Sequence, residues 1–367
     1  MKVRLGDYIR EYSVRNKENK DIPVYSVTNT QGFCKDYFGK EVASKDKTTY
    51  KIVPKGYFAY NPSRINVGSV DWQKEEEKVI VSPLYNVFSV AEEIEQQYLY
   101  YYLKSDITLQ RIRAVSTGSV RDNLKLNMLY EFPINLPTKE EQRYIVKILD
   151  RARQVIELRK KEVDMLNDLI NARFVEMFGD PDVNEYNWEI YKIEQLCDVG
   201  SSKRIYQNEQ SRIGIPFLRV SDLVNRMDTG SKESDLYIPE SRFEELKKQG
   251  LVPKSGDILL TARGTLGRCY IIQDDDEFYF QDGMITWLSK YDAKVIPLYI
   301  SYLFEMPGFR KQIDSLQAGS TVAYLSIYMT KKLDIMLPPI KLQNQFADFV
   351  KEVDKSKVRQ QKYTYKI

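Results

Sequence analysis

Histidine is absent from the 367 residues of this sequence. Imidazole is the shared group of Ser-His-Asp hydrolysis, Cys-His catalysis, zinc proteolysis through H-E-x-x-H and nuclease sites with a histidine-bound metal. None of these chemistries is available within one copy of the chain.

Cysteine and long apolar runs are also scarce. Cys34, Cys197 and Cys269 lie far apart and form no C-x-x-C pair, which argues against a zinc site and against a disulfide framework. No apolar run approaches the ~18 residues of a membrane span, and Met1 leads into no signal-like segment. We therefore expect that the protein binds no metal, does not associate with a membrane and is located in the reducing environment of the cytoplasm.

The 17 glycines form no G-x-G pair and no G-K-[ST] loop, so nucleotide or dinucleotide binding is not expected. One acidic cluster, Asp274 to Glu277, has the carboxylates that Mg²⁺ prefers and could in principle serve a nuclease. It lies between two short runs of β-forming residues. We interpret it as a solvated hairpin loop instead.

The net charge is also small, because 55 basic and 52 acidic residues give a net charge of only +3. A nucleic-acid partner would need local basic clusters or help from another subunit. The length and the 43% hydrophobic content fit two ordinary globular domains, each able to bury its own core.

What the sequence does contain is a long internal repeat. Three residues recur 201 positions later, namely Gly118, Pro137 and Gln142 as Gly319, Pro338 and Gln343. Upstream matches drift to intervals of 199 and 193, which indicates insertions between shared elements. Solenoid and propeller repeats have periods of about 20 to 50 residues, so this period predicts two copies of a whole unit, a globular domain followed by a helix.

The first of these helices is predicted from Lys139 to Phe178. Thr138 and Glu141 form a capping box at its start, and Gly179 before Asp180-Pro181 is a strong stop signal. A helix of this length would measure about 60 Å. One apolar face repeats along it and comprises Ile145, Leu149, Ala152, Ile156, Val163, Leu166, Ile170 and Met177.

The helix after Pro338 begins in the same way. Phe346, Val350 and Val353 occupy the positions equivalent to Ile145, Leu149 and Ala152. We expect the two helices to pair as an antiparallel coiled coil that sets the separation of the two domains. The second helix would have its end at position 379, whereas the sequence ends at Ile367, so we expect a shorter distal helix with a frayed end.

Both globular halves are predicted to mix helices and strands. Short runs such as Val79-Ile80-Val81 and Ile258-Leu259-Leu260 are rich in β-formers and bounded by turn residues. Helices are predicted from Gln96 to Lys104 and from Pro297 to Phe304.

Four segments follow one another along the chain, namely Ala59 to Gly68, Thr117 to Pro137, Glu140-Glu141-Gln142, and Arg173 to Pro181. In this order they resemble the DNA specificity subunit of type I restriction-modification systems. The resemblance covers essentially the whole chain.

The resemblance implies an α+β fold with two tandem mixed α/β target-recognition domains separated by long helices. The expected boundaries are residues 1–138 for the first domain, 139–179 for the central helix, 180–338 for the second domain and 339–367 for the distal helix. Each domain would read one half of a split double-stranded DNA site. The helices would dock methyltransferase subunits, and a restriction and translocase subunit would join the complex in a prokaryotic cytoplasm.

The resemblance also implies a non-catalytic chain. S-adenosylmethionine, ATP and Mg²⁺ are expected on the partner subunits and not on this one. The alternatives are a coiled-coil scaffold, an inactive truncated specificity subunit, or a stand-alone nuclease or methyltransferase, which would need a cofactor site that the sequence does not reveal.

Candidate DNA contacts lie in polar loops rich in arginine, glycine and small side chains. Arginine forks suit guanine edges or phosphates, and small donors suit phosphates. For most of these positions an ordinary surface turn is the alternative. The candidates are Asn61, Ser63, Arg64, Asn66, Thr117, Gly118, Ser119, Arg121, Lys203, Arg204, Arg263, Thr265, Arg268, Gly319, Ser320 and Thr321.

Overall fold

The structure is a computed structural model that describes residues 2–35, 46–116, 123–317 and 323–364, with side chains in the last stretch as far as Lys357. The chain divides into two compact units, Met1–Ile156 and Glu157–Ile367. The expected mixture of helix and strand is confirmed in both.

The first unit begins with strands and continues with helices. Its strands are β1 (Lys2–Arg4), β2 (Ile9–Glu11), β3 (Ser26–Thr28), β4 (Gly32–Cys34), β5 (Lys51–Pro54), β6 (Phe58–Tyr60), β7 (Val70–Trp72), β8 (Lys78–Val81), β9 (Asn86–Val90) and β10 (Pro133–Asn135). Its helices are α1 (Gln96–Lys104), α2 (Asp106–Ser116), α3 (Leu126–Tyr130) and the first part of α4 (Lys139–Phe178).

The second unit holds the end of α4 and the rest of the chain. Its strands are β11 (Glu189–Lys192), β12 (Asp198–Gly200), β13 (Ile215–Leu218), β14 (Tyr237–Ile238), β15 (Ile258–Thr261), β16 (Cys269–Ile271), β17 (Tyr279–Phe280), β18 (Ile285–Ser289) and β19 (Asp334–Leu337). Its further helices are α5 (Val220–Thr229), α6 (Glu240–Lys248), α7 (Pro297–Glu305), α8 (Pro307–Leu316), α9 (Ile327–Lys331) and α10 (Ile340–Thr364).

Each unit contains a four-stranded sheet, and the two sheets have the same topology. The strand order is β2-β9-β6-β7 in the first unit and β12-β18-β15-β16 in the second. In each unit the strand before the long helix also pairs antiparallel with the unit's first strand, β10 with β1 and β19 with β11. The repeat found in the sequence is therefore a repeat of structure.

Each four-stranded sheet has an apolar core on both faces, because side chains alternate along a strand. In β6, Phe58 and Tyr60 join the core beneath α1 to α3, whereas Ala59 joins a second core with Val53 and Val79. In β15, Ile258 and Leu260 face the helices, and Leu259 faces the opposite side. This burial on both faces explains why these runs are almost continuously apolar.

The long helix α4 has the predicted bounds. Thr138 and Glu141 form the expected capping box, with the Thr138 amide donating to the Glu141 carboxylate over 2.8 Å. At the other end Gly179 has φ +82°, and its amide donates to the Val175 carbonyl over 2.8 Å. A left-handed glycine is the usual way to close a helix, because a side chain is strained there. The helices α1 and α7 also confirm their predictions, α7 being one residue longer.

Burial along the apolar face of α4 is uneven. Ile170, Phe174 and Phe178 are fully buried in the core of the second unit together with Phe346, Val350 and Val353 of α10. Leu166 and Met177 pack against that core and remain partly exposed. Upstream, Leu149 is exposed, and the half-buried members are Ile145, Ala152, Ile156 and Val163. The ends of α4 and α10 thus pack together in the second unit, and an antiparallel coiled coil stays a prediction.

Candidate nucleic-acid interface

The loop from 61 to 68 joins β6 to β7 in the first unit. The Asn61 side-chain oxygen accepts hydrogen bonds from the Ser63 amide at 3.1 Å and the Ser63 hydroxyl at 3.0 Å, which closes a tight turn. A short 3-10 helix, Ile65–Val67, follows and ends at Gly68, whose φ is +89°. Because Ile65 is fully buried, it anchors the loop and leaves Arg64 exposed.

Arg64 has no ion-pair or hydrogen-bond partner for its guanidinium among the residues that the structure describes. Asn66 lies lower in the loop, where its carbonyl accepts from Arg113 over 3.2 Å. The Asn66 side-chain oxygen is buried without a partner in the described part of the chain. Arg64 therefore presents a free charge, whereas Asn66 helps to hold the loop.

The corresponding loop of the second unit joins β15 to β16. Thr261 organises it, because its hydroxyl donates to the Thr265 carbonyl and accepts from the Arg268 amide at 3.0 Å. Gly264 and Gly267 both have φ +73°, a conformation that a side chain would strain. A Cβ on Gly267 would also lie 3.0 Å from Ile313, so the loop packs closely on α8.

Arg263 is exposed on this loop and lies over an aromatic ring. Its guanidinium carbon is 5.0 Å from the ring centre of Tyr324, and the two residues also form an isolated β-bridge. Within the described ranges it has no carboxylate partner. A cation–π contact of this kind restrains the guanidinium while leaving its hydrogen-bond donors available.

The remaining basic candidates differ in availability. Arg268 pairs with Asp228 at 2.7 Å, and Arg204 pairs with Asp282 at 2.9 Å. Lys203 is exposed and donates its backbone amide to the Tyr279 hydroxyl over 2.8 Å. Thr265 is exposed. The structure thus brings Arg263, Thr265 and Arg268 onto one loop, while Arg204 and Lys203 belong to the segment after β12.

Two predicted loops lie outside the described residues. These loops follow α2 and α8 and contain the candidates Thr117, Gly118, Ser119 and Arg121 in the first unit and Gly319, Ser320 and Thr321 in the second.

The interpretation of Asp274 to Glu277 as a solvated loop is wrong for Asp276. Its carboxylate is 1% exposed and forms an ion pair with Arg226, whose side chain is 5% exposed. Tyr270 donates its hydroxyl to the same carboxylate over 2.8 Å and accepts from Arg226 over 3.0 Å. The sequence could not reveal this cluster, because its three members come from α5, β16 and the loop before β17.

Sequence reasoning also missed a role for Gln142 and Gln343. Both side chains are fully buried and hydrogen-bonded at equivalent places in the two units. The signal was present, since the two glutamines recur at the interval of 201.

Cys197 is a buried thiol of the second unit. Burial raises the pKa of Cys197 to about 12, so this thiol stays protonated at neutral pH. No group of three or more His, Cys, Asp or Glu side chains in the described ranges could hold a metal ion. Likewise, no helix in this part of the chain is long and apolar enough to cross a membrane.

Comparison with protein families gives a match in both halves of the chain. The model described as "Type I restriction modification DNA specificity domain" matches residues 4–167 and again residues 185–364. Together these two matches cover most of the sequence.

Two curated relatives are similar over about seven tenths of the chain. A putative type I restriction enzyme specificity subunit of Haemophilus influenzae is 29% identical over 285 residues, which cover 72% of this chain and 66% of the relative. A type I restriction enzyme specificity subunit of Methanocaldococcus jannaschii is 24% identical over 280 residues, covering 71% and 64%. The chain therefore spans about two thirds of the length of each relative.

Solved structures share the fold at low sequence identity. A chain from a study of complex assembly in a type I R-M system is 16% identical with a TM-score of 0.51, covering 99% of this chain and 95% of that one. The S subunit of a type I restriction-modification system from M. genitalium is 14% identical with a TM-score of 0.50, covering 100% and 92%.

Proposed function

This chain belongs to the family of type I restriction modification DNA specificity domains, and on that premise we propose that it is a non-catalytic subunit that recognises a bipartite DNA sequence. The observation that carries the proposal is the double match of the family model, once in each half of the chain. Each unit reads one half of the target. The shared sheet topology supports this, because two equivalent scaffolds present two equivalent loops.

Arg64 and Arg263 are the side chains that we assign to DNA contact first. Both are exposed in the loops that join equivalent strands, and neither has a carboxylate partner within the described residues. A guanidinium that is not already paired can donate a two-pronged hydrogen bond to a guanine edge, or bind a phosphate. Arg204 and Arg268 would first have to leave Asp282 and Asp228, so we place them second.

The partners of the proposed complex follow from the same premise. Methyltransferase subunits dock on α4 and α10, and a restriction and translocase subunit completes the assembly. S-adenosylmethionine, ATP and Mg²⁺ bind to those subunits. Exposed apolar side chains on α4 support a docking role, since Ile148, Leu158 and Met165 are 47%, 52% and 69% exposed.

The test is the methylome of cells that express this chain with the methyltransferase subunit of its system. We expect one bipartite adenine-methylation motif that disappears when only this chain is deleted. Arg64→Ala should relax recognition in one half of the motif, and Arg263→Ala in the other. Each loss should amount to about 1–3 kcal/mol of discrimination at one base pair if the arginine contacts a base.

Arg4→Ala and Arg219→Ala are matched controls, because they remove an exposed and a partly exposed arginine that are already paired with Glu131 and Asp222. They should leave the motif unchanged. A methylome that does not depend on this chain would contradict the proposed function and favour a scaffold without DNA specificity.

A further inference from the structure

Gln142 and Gln343 occupy the fourth position of α4 and of α10. Both residues are 0% exposed, which is unusual for an amide side chain at the start of a helix. Neither side chain caps its own helix, because each side-chain oxygen accepts from an amide that precedes another helix, that of Glu95 or Ile296.

In the first unit the Gln142 side chain joins three segments. Its amide nitrogen donates to the Glu93 carbonyl over 2.8 Å and to the Pro137 carbonyl over 2.9 Å. Its oxygen accepts from the Glu95 amide over 2.9 Å. The helix start is thereby tied to the entry of α1 and to the end of the segment that follows β10.

In the second unit Gln343 repeats every one of these bonds. Its amide nitrogen donates to the Lys294 carbonyl over 2.9 Å and to the Pro338 carbonyl over 2.8 Å, and its oxygen accepts from the Ile296 amide over 3.0 Å. Each partner lies 201 residues after its counterpart (294−93, 338−137, 296−95). Both amide hydrogens are used in each unit, so the side chain has no donor left for another orientation.

All six partner atoms belong to the backbone. The residues that supply them differ between the units, as Glu93 and Glu95 correspond to Lys294 and Ile296. The network therefore constrains backbone geometry without depending on neighbouring side chains. Tilting the helix at its start would separate buried donors from buried acceptors, which is strongly unfavourable.

Resting on the proposed function, we propose that Gln142 and Gln343 are positioning residues that set the half-site spacing the protein accepts, by fixing the direction in which each helix leaves its domain. A tilt of about 5° at the start of α4, which is about 60 Å long, moves its far end by about 5 Å, more than one base-pair step of about 3.4 Å. The 25-residue α10 is about 38 Å long, so the same tilt moves its far end by about 3 Å, or about one base-pair step.

The experiment uses the full chain with its methyltransferase subunit and a plasmid library. The library carries the two half-sites found by methylome sequencing, separated by spacings from three base pairs shorter to three longer than the native one. We compare Gln142→Met and Gln343→Met, which keep the volume and lose the hydrogen bonds, with Glu140→Met and Lys341→Met. These controls place the same side chain at exposed positions two residues earlier.

Wild type and controls should methylate mainly the native spacing. In the glutamine variants, methylation at spacings one base pair off should rise by about tenfold relative to the native spacing, with unchanged half-site sequences. A wild-type spacing profile in a folded glutamine variant would overturn the positioning role.

If Gln142→Met does not fold, Gln142→Asn retains the amide on a shorter stem that cannot reach all three partners. Failure of both variants to fold would also overturn the proposal, because the residue would then serve core stability alone. Absence of methylation by the wild-type chain is a separate result, which would refute the proposed function itself.

Discussion

At the scale of single residues, Arg226 shows how the second unit accommodates a charge in its interior. Its guanidinium pairs with Asp276, donates to the Tyr270 hydroxyl and lies 4.8 Å from the ring centre of Phe278. Burial, together with the hydrogen bond to Asp276, raises the pKa of Tyr270 to about 12. The cluster connects α5 to the acidic loop before β17, which the sequence analysis interpreted as a solvated loop.

Replacing Arg226 with methionine should lower the free energy of unfolding by about 3–5 kcal/mol, because it leaves the Asp276 carboxylate buried without a counter-charge. Urea denaturation followed by fluorescence measures this. Arg268→Met removes the partly exposed pair with Asp228 and should cost less than about 1 kcal/mol. Equal costs for the two substitutions would show that the Arg226 pair is no more important than a surface ion pair.

At the scale of elements, α4 is the part of the fold that the sequence predicted most completely. Its first and last residues followed from local signals, Thr138 with Glu141 at one end and Gly179 at the other. Such signals act within one turn and are readable without a fold. The contact of Phe174 with Tyr299 of α7 was not predictable in this way, because it depends on where distant segments meet.

That packing is an aromatic cluster. The ring centre of Phe346 lies 5.5 Å from that of Phe174, 5.4 Å from that of Phe178 and 5.3 Å from that of Tyr302. Phe174 stacks on Tyr299 at 5.6 Å. Edge and stacked contacts of this kind add to the apolar burial that joins α4 and α10 to α7.

Phe346→Ala should therefore reduce the free energy of unfolding by about 3–5 kcal/mol, since it opens a cavity among buried rings. Thermal unfolding monitored by near-UV circular dichroism reports the loss. Tyr328→Ala removes an aromatic ring that is 71% exposed and should shift the midpoint little. A small shift for Phe346→Ala would mean that the cluster does not hold the two helices together.

At the scale of the whole molecule, the duplication was visible in the sequence, whereas the differences between the copies were not. In the second unit β13 pairs parallel with β17 and is followed directly by α5, while the described part of the first unit has only the parallel bridge between Val24 and Ile80. Parallel partners lie far apart along the chain, so short patterns of β-formers could not identify them.

The sequence identified Arg64 and Arg263 as candidates because their loops are rich in glycine and polar residues. Only the structure could show that neither arginine has a carboxylate partner among the described residues.

The small net charge leads to a prediction for the salt dependence of DNA binding. With +3 overall, DNA affinity must come from a limited number of local contacts, and its logarithm should fall with the logarithm of salt concentration by about 0.9 per phosphate contacted. Fluorescence anisotropy of the chain with its methyltransferase subunit gives this slope on a duplex that carries the target. If Arg64 binds a phosphate, Arg64→Ala should reduce the slope by about 1 and weaken all duplexes alike.

An unchanged slope with lost discrimination at one base pair would instead assign Arg64 to a base edge. No change in either quantity would exclude Arg64 from the interface.

Gln142 and Gln343 form hydrogen bonds only with backbone atoms, and this has a consequence for recombination of the gene. A crossover between the two halves of the gene at the glutamine codon would join the domain of one half to the helix of the other, and the junction would still contain a glutamine, two partner carbonyls and one partner amide. The junction between a domain and the helix that follows it can thus be exchanged by recombination between the two halves of the gene. New combinations of domain and helix can arise in a single genetic event, without compensating substitutions at the junction.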